Sequence, residues 1–183
     1  MGVVLLSLAA LPGCGNTPSK PPVVTTPSRV SGMVPQLLPA QGIGFQRPAN
    51  WHYTAGQAPL LATVNSGLVT IAIWRYPRAE PLPTTAAQLA TARNALVAAA
   101  KARDPTLKVI KAKGTRAAHH PAVVIIADET VAGQPRRVRS THIYGAGSEY
   151  VVDAFAPADQ YAQVETPVFR ALVRSVKLSK PTG

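Results

Sequence analysis

The feature that most constrains this chain is the stretch from Pro121 to Pro157, which reads as three consecutive strands joined by two short glycine-bearing turns. Ala122 to Ala127 is an unbroken apolar run, the pattern of a strand covered on both faces. Gly133-Gln134 then marks a turn into Arg136 to Tyr144, and Gly145 to Ser148 a turn into Glu149 to Phe155. With both turns closed at their glycines, Ile125 lies opposite His142 and Val151, and Ser140 lies opposite Asp153. Alternation then assigns Val124, Ile126, Thr141, Ile143, Tyr150 and Val152 to a core face, with Asp128 opposite Arg139 at its end. The other face carries Val123, Ile125, Val138, Tyr144, Val151 and Phe155, interrupted by Glu129, Ser140, His142 and Asp153. Polar side chains set among apolar ones place a cleft on that face.

Around this meander the chain supplies a hairpin at Asn65-Ser66-Gly67 and a helix from a cap at Thr84 or Thr85 to Arg103, stopped by Asp104-Pro105. Leu89, Ala92, Leu96 and Ala100 form a narrow stripe that lets the helix lie close to a sheet. Leu107 to Ala112 reads as a further strand with outward lysines. Thr166-Pro167 reads as the cap and first turn of a closing helix with Phe169, Leu172, Val173 and Val176 on one face. Trp51, beside a turn, is expected in the core.

The amino end has a different character. Val3 to Leu11 is an apolar run of about nine residues, too short to span a bilayer, which takes roughly twenty, but suited to a signal peptide. Leu11-Pro12-Gly13-Cys14 resembles the lipobox of bacterial lipoproteins, in which the cysteine thiol is alkylated with diacylglycerol and the leader removed. Pro12 departs from that pattern, and Met1-Gly2 carries no basic residue, so the true start is expected upstream. Residues 1–13 are thus a leader and Cys14 the lipidation site, anchoring the protein to the outer face of the cell membrane. Gly15 to about Pro39, rich in proline, serine and threonine, is expected to be an extended spacer within a 14–40 linker, and 41–180 the folded domain. Cys14 is the only cysteine, so no internal disulfide forms.

Lysine and arginine total 19 against 8 acids, a net charge of +11. In an extracytoplasmic setting this favours anionic lipid or acidic wall polymer over nucleic acid. Arg136, Arg137 and Arg139 are the densest basic group, read as either a solvated hairpin edge or an anion contact.

From Gly42 to Leu178 the order of pieces resembles the PsbP-like and Mog-like fold, seen also in actinobacterial lipoproteins of the LpqN type. The resemblance rests on Gly42-Ile43-Gly44-Phe45 with Pro48 and Trp51, the hairpin, the helix near Leu89 to Arg103, Pro121-Ala122-Val123, Glu149-Tyr150-Val151-Val152 and the closing Phe169 to Ser175. It implies an α+β fold, an antiparallel sheet flanked by helices in an α/β/α sandwich, and an accessory or binding role with varied partners.

Ser140, His142 and Asp153 have the residue types of a nucleophile, base and orienting acid, which makes an envelope acyl hydrolase the rival reading. A flat strand offers no nucleophile elbow, so the three, with Tyr144, are read as a ligand-orienting patch in a non-enzymatic domain for a protein or small ligand. His119 and His120 are neighbours that point apart in a strand, and no zinc spacing, phosphate loop or dinucleotide fingerprint occurs; neither metal nor cofactor is expected.

Overall fold

The computed structural model describes residues 25–182. Within them two antiparallel sheets dominate and helices are few. A seven-stranded sheet has the order β3-β4-β5-β9-β8-β7-β6, and a three-stranded sheet the order β1-β2-β10. The large sheet comprises β3 (His52–Ala55), β4 (Leu60–Ser66), β5 (Val69–Pro77), β6 (Lys108–Ala117), β7 (His120–Val131), β8 (Gln134–Gly145) and β9 (Ser148–Ala156). The small one comprises β1 (Met33–Leu38), β2 (Ile43–Pro48) and β10 (Lys177–Leu178).

The meander forms as expected in kind, with strands longer than the apolar runs that signal them. Its β8–β9 register pairs Ser140 with Asp153 and His142 with Val151, as read from the sequence. The β7–β8 register differs by two residues: Ile125 pairs with Ser140, Val123 with His142, and Asp128 with Arg137. The cause is the turn. Two-residue hairpins of type I′ need positive φ at both central positions, and glycine serves best at the second. Ala132 and Gly133, at φ 49 and 75°, are those positions, one residue earlier than Gly133-Gln134. A two-residue slip preserves parity, so every side chain keeps its expected face.

Helix α1 (Ala86–Arg103) starts in a capping box: Thr85 Oγ1 accepts from Gln88 N, and the Gln88 side chain reaches back to Thr85 N. Its Leu89, Ala92, Leu96 and Ala100 pack with Val123, Ile125 and Leu107 on one face of the large sheet. The opposite face carries the main core, where Ile71, Ile73, Ile143, Tyr150, Phe169 and Leu172 are almost wholly inaccessible. An α/β/α sandwich is therefore too symmetric a description. α1 covers only the β6–β7 end of one face, and the other is shared by the small sheet and the C-terminal helical run.

That run begins earlier than Thr166-Pro167 suggests. α2 (Ala158–Val164) passes through a π-helical stretch, Glu165–Arg170, into α3 (Ala171–Ser175). Proline cannot donate the i−4 hydrogen bond of an α-helix, and a local switch to wider π turns carries the helix past Pro167. Thr166 is thus interior to the run and caps nothing.

The spacer ends sooner than position 40. Ser28 N donates to Ser66 Oγ, Trp51 Nε1 donates to Ser28 O at 3.0 Å, and Met33–Leu38 forms β1. Pro35 is tolerated because β1 is an edge strand, and Pro39 opens a 3-10 turn. Trp51 is buried, as expected. The leader, Cys14 and the first part of the spacer lie outside the described residues.

Candidate functional site

The mixed face of the meander and α1 enclose a cavity of about 550 Å³. Its floor comes from alternate residues of β7, β8, β9 and β5: Ile125 and Glu129, Val138 and Ser140, Val151 and Asp153, Trp74 and Tyr76. Leu96, Ala99, Ala100 and Arg103 of α1 form the opposite wall. The alanines let the helix lie close to the sheet, and their short side chains leave unfilled the space beneath Ala99 and Ala100.

Three of the four ligand-binding candidates, Ser140, His142 and Asp153, meet at the floor. Ser140 Oγ donates to Asp153 Oδ1 at 2.6 Å and lies 3.0 Å from His142 Nε2. His142 Nδ1 lies 2.7 Å from Glu149 Oε1, and Glu149 is also bound by Arg78. The result is a linear chain, Asp153–Ser140–His142–Glu149–Arg78. It holds with a proton on either end of its middle section. With that proton on His142, the ring donates to both Glu149 and Ser140, and the serine donates to Asp153. With it on Asp153, the hydroxyl turns and donates to Nε2.

The orienting acid is therefore Glu149, not Asp153, because residues 149 and 153 share a face of β9 and flank His142 on opposite sides. Burial pushes the Glu149 carboxyl up, but hydrogen bonds from His142 and Arg78 outweigh it and hold the group below its ordinary range. Burial pushes Asp153 upward as well, and there Ser140, His142, Arg103 and the Trp74 indole N–H offset it only in part. Glu129 is likewise raised by burial.

The fourth candidate, Tyr144, shares that face of β8 but does not line the cavity. It is buried against the chain end of Glu149 in a smaller cleft with Arg78, Leu82 and Leu96, and burial pushes its hydroxyl up to about 12. The arginine group does not act as one patch either. β8 is an interior strand, not an edge, and its alternation sends Arg136 to the cleft side and Arg137 and Arg139 to the other. Arg137 pairs with Asp128 at 2.8 Å and Arg139 with Glu165 at 3.1 Å. His119 occupies a turn at φ 68° and His120 begins β7. Among the described residues no group of three His, Cys, Asp or Glu could hold a metal ion.

Sequence reasoning omitted Glu149, Trp74, Tyr76 and Arg103. Glu149 had a signal, since it stands four residues before Asp153 on the same face. Trp74 and Tyr76 arrive through the β5–β9 pairing, across more than seventy residues, which no local pattern announces.

Comparison with solved structures matches this arrangement of strands and helices. The solution structure of cyanobacterial PsbP (CyanoP) from Synechocystis superposes with a TM-score of 0.63 at 10% identity, over 82% of this chain and 95% of that one. The fold is PsbP-like. A protein of unknown function from Pseudomonas aeruginosa, PA94, described as a putative regulator, matches with a TM-score of 0.52 at 15% identity, over 82% and 99% of the two chains. A protein from Bacteroides thetaiotaomicron matches at 0.54 and 7% identity, over 80% of this chain and 48% of that one. No protein-family model and no curated protein matches the chain. At such identities the likeness is one of fold, and the PsbP-like framework leaves the cavity's chemistry to be read from its own residues.

Proposed function

We propose that this chain is an extracytoplasmic lipoprotein of the LpqN type, tethered through Cys14, whose PsbP-like domain binds a small ligand in the cleft between α1 and the sheet without transforming it. The observation that carries the reading is a cavity of about 550 Å³ whose apolar walls surround a few convergent polar groups, Asp153, Ser140 and His142 bonded among them, the usual composition of a ligand site. The tether rests on the sequence at Cys14; no helix among the described residues is long and apolar enough to cross a membrane.

Ser140, His142 and Glu149 lie at distances a hydrolase would use, so acyl transfer is the specific rival. Two features weigh against it. Ser140 is paired on both sides, with Ile125 and Asp153, so the ladder of an interior strand surrounds it and leaves no free backbone N–H groups to receive an oxyanion. Its hydroxyl is also held by Asp153, which competes with His142 for the proton a nucleophile must give up. Incubating the mature protein with short-chain nitrophenyl esters decides between the readings: no turnover above buffer is expected. Hydrolysis that disappears in Ser140→Ala would overturn the binding role. Adhesion to anionic polymer through the arginines has less support, because two of the three are already paired to carboxylates.

A further inference from the structure

The sign of the charge inside the cleft is opposite to that of the chain. The whole sequence has 19 basic and 8 acidic residues, yet the cavity is lined by three carboxylates, Asp104, Glu129 and Asp153, against one guanidinium, Arg103. Arg103 is exposed at the rim and forms no ion pair among the described residues. Glu149 is matched by both Arg78 and His142, so the basic end of the polar chain is already compensated. Asp153 forms no ion pair among the described residues: Oδ1 takes the Ser140 hydroxyl, His142 and Arg103 act on it only through space, and the buried indole N–H of Trp74 is its other polar neighbour. Around it stand the ring of Trp74 and the side chains of Ile125, Val138, Val151 and Phe155. A carboxylate with no ion-pair partner, set beside an indole and aliphatic walls, is the complement of an ammonium carried on an apolar body.

Resting on the binding role proposed above, we infer that the cleft selects a small organic cation, an alkyl or arylalkyl ammonium. Its charged head meets Asp153 and its body lies along Ile125, Val138 and Phe155 beneath α1. A carboxylate ligand would meet Asp153 and Glu129 as like charges, and a neutral alcohol would leave Asp153 uncompensated. The groups facing Asp153 are Ser140 and His142 from β8, Trp74 and Tyr76 from β5, Glu129 from β7 and Arg103 from α1. Because burial raises Asp153, cation affinity should weaken on acidification before an exposed aspartate would have titrated.

The test is calorimetric titration of the mature protein with three probes of equal size: hexylammonium, 1-hexanol and hexanoate. Hexylammonium is expected to bind at least about tenfold more tightly than either other probe, the ratio a charge-assisted contact supplies. Asp153→Asn should reduce that preference to about threefold or less, and Glu129→Gln, at the far side of the cavity, should lower it partially. Ala99→Trp, placed on the exposed face of α1 over the mouth, should abolish binding of all three. Equal or stronger binding of hexanol or hexanoate, blocked by Ala99→Trp, would overturn the cation inference and leave the ligand cleft standing. Binding of none of the probes, or binding indifferent to Ala99→Trp, would count against both.

Discussion

His142 and its neighbours show how one position on a strand decides a side chain's work. Glu149, nearly inaccessible, joins Arg78 and His142, so Glu149→Gln should lower stability by about 1.5–3 kcal/mol, the range for hydrogen bonds to charged groups, measured by chemical denaturation. The carboxyls of this cleft pull stability in opposite directions with pH. Glu149 is held below its ordinary range, so its contribution is present above the unfolded carboxylate value near 4.3 and is lost as pH falls through the folded one. Asp153 is raised, so the folded state binds its proton more readily, and stability recovers as pH falls from the folded value toward about 3.9. Wild type should therefore gain on Asp153→Asn as the pH is lowered through that window. A difference between the two proteins that stays constant from neutral pH to pH 4 would contradict the burial assigned to Asp153.

At the scale of elements, the three hairpins that build the cleft-bearing half of the sheet all close through alanine at positive φ: Ala118 with His119, Ala132 with Gly133, and Ala146 with Gly147. Left-handed backbone costs an ordinary residue about 1–2 kcal/mol, and asparagine tolerates it better. Ala146→Asn should therefore raise stability by about 0.5–1 kcal/mol, visible as a higher denaturation midpoint; a lower one would show that the turn geometry is wrong. On the other face, Leu172 is wholly buried between the C-terminal run and the sheet, and Leu172→Ala should cost about 2–5 kcal/mol. These elements also mark what a sequence can disclose. The meander, the hairpin and the capped helix are local, each written in adjacent residues, and all three form; the turns shift, the hairpin closing at Gly67-Leu68 with Asn65 and Ser66 still paired in β4. The face of Ser140 and Asp153 survived a misplaced turn because parity outlasts a two-residue slip. By contrast, Thr166-Pro167 carries the chemistry of a helix start, and only the packing of Tyr161, Val164 and Val168 into the main core shows that the helix has already begun. Met33–Leu38 is masked by Pro35 and the following Pro39, residues that edge strands accept and spacers also favour.

At the scale of the whole molecule, the proposal joins two regions with separate logic: an amino end read as a leader and acylated Cys14, and a PsbP-like body built around a sheet. The β5–β9 pairing that brings Trp74 into the cleft ties the two halves of the body together, so the site depends on the complete fold. Cys14→Ser should move the protein from the membrane fraction to the soluble one with no change in its melting temperature; a variant that stays membrane-bound would remove the tether from the account. The central claim, a cleft that holds a small ligand, is tested most directly by native mass spectrometry of the protein extracted gently from its own membranes. The account predicts a small-molecule adduct that leaves on denaturation and is missing from Ala99→Trp. Protein that carries no adduct, or an adduct retained equally by Ala99→Trp, would contradict it.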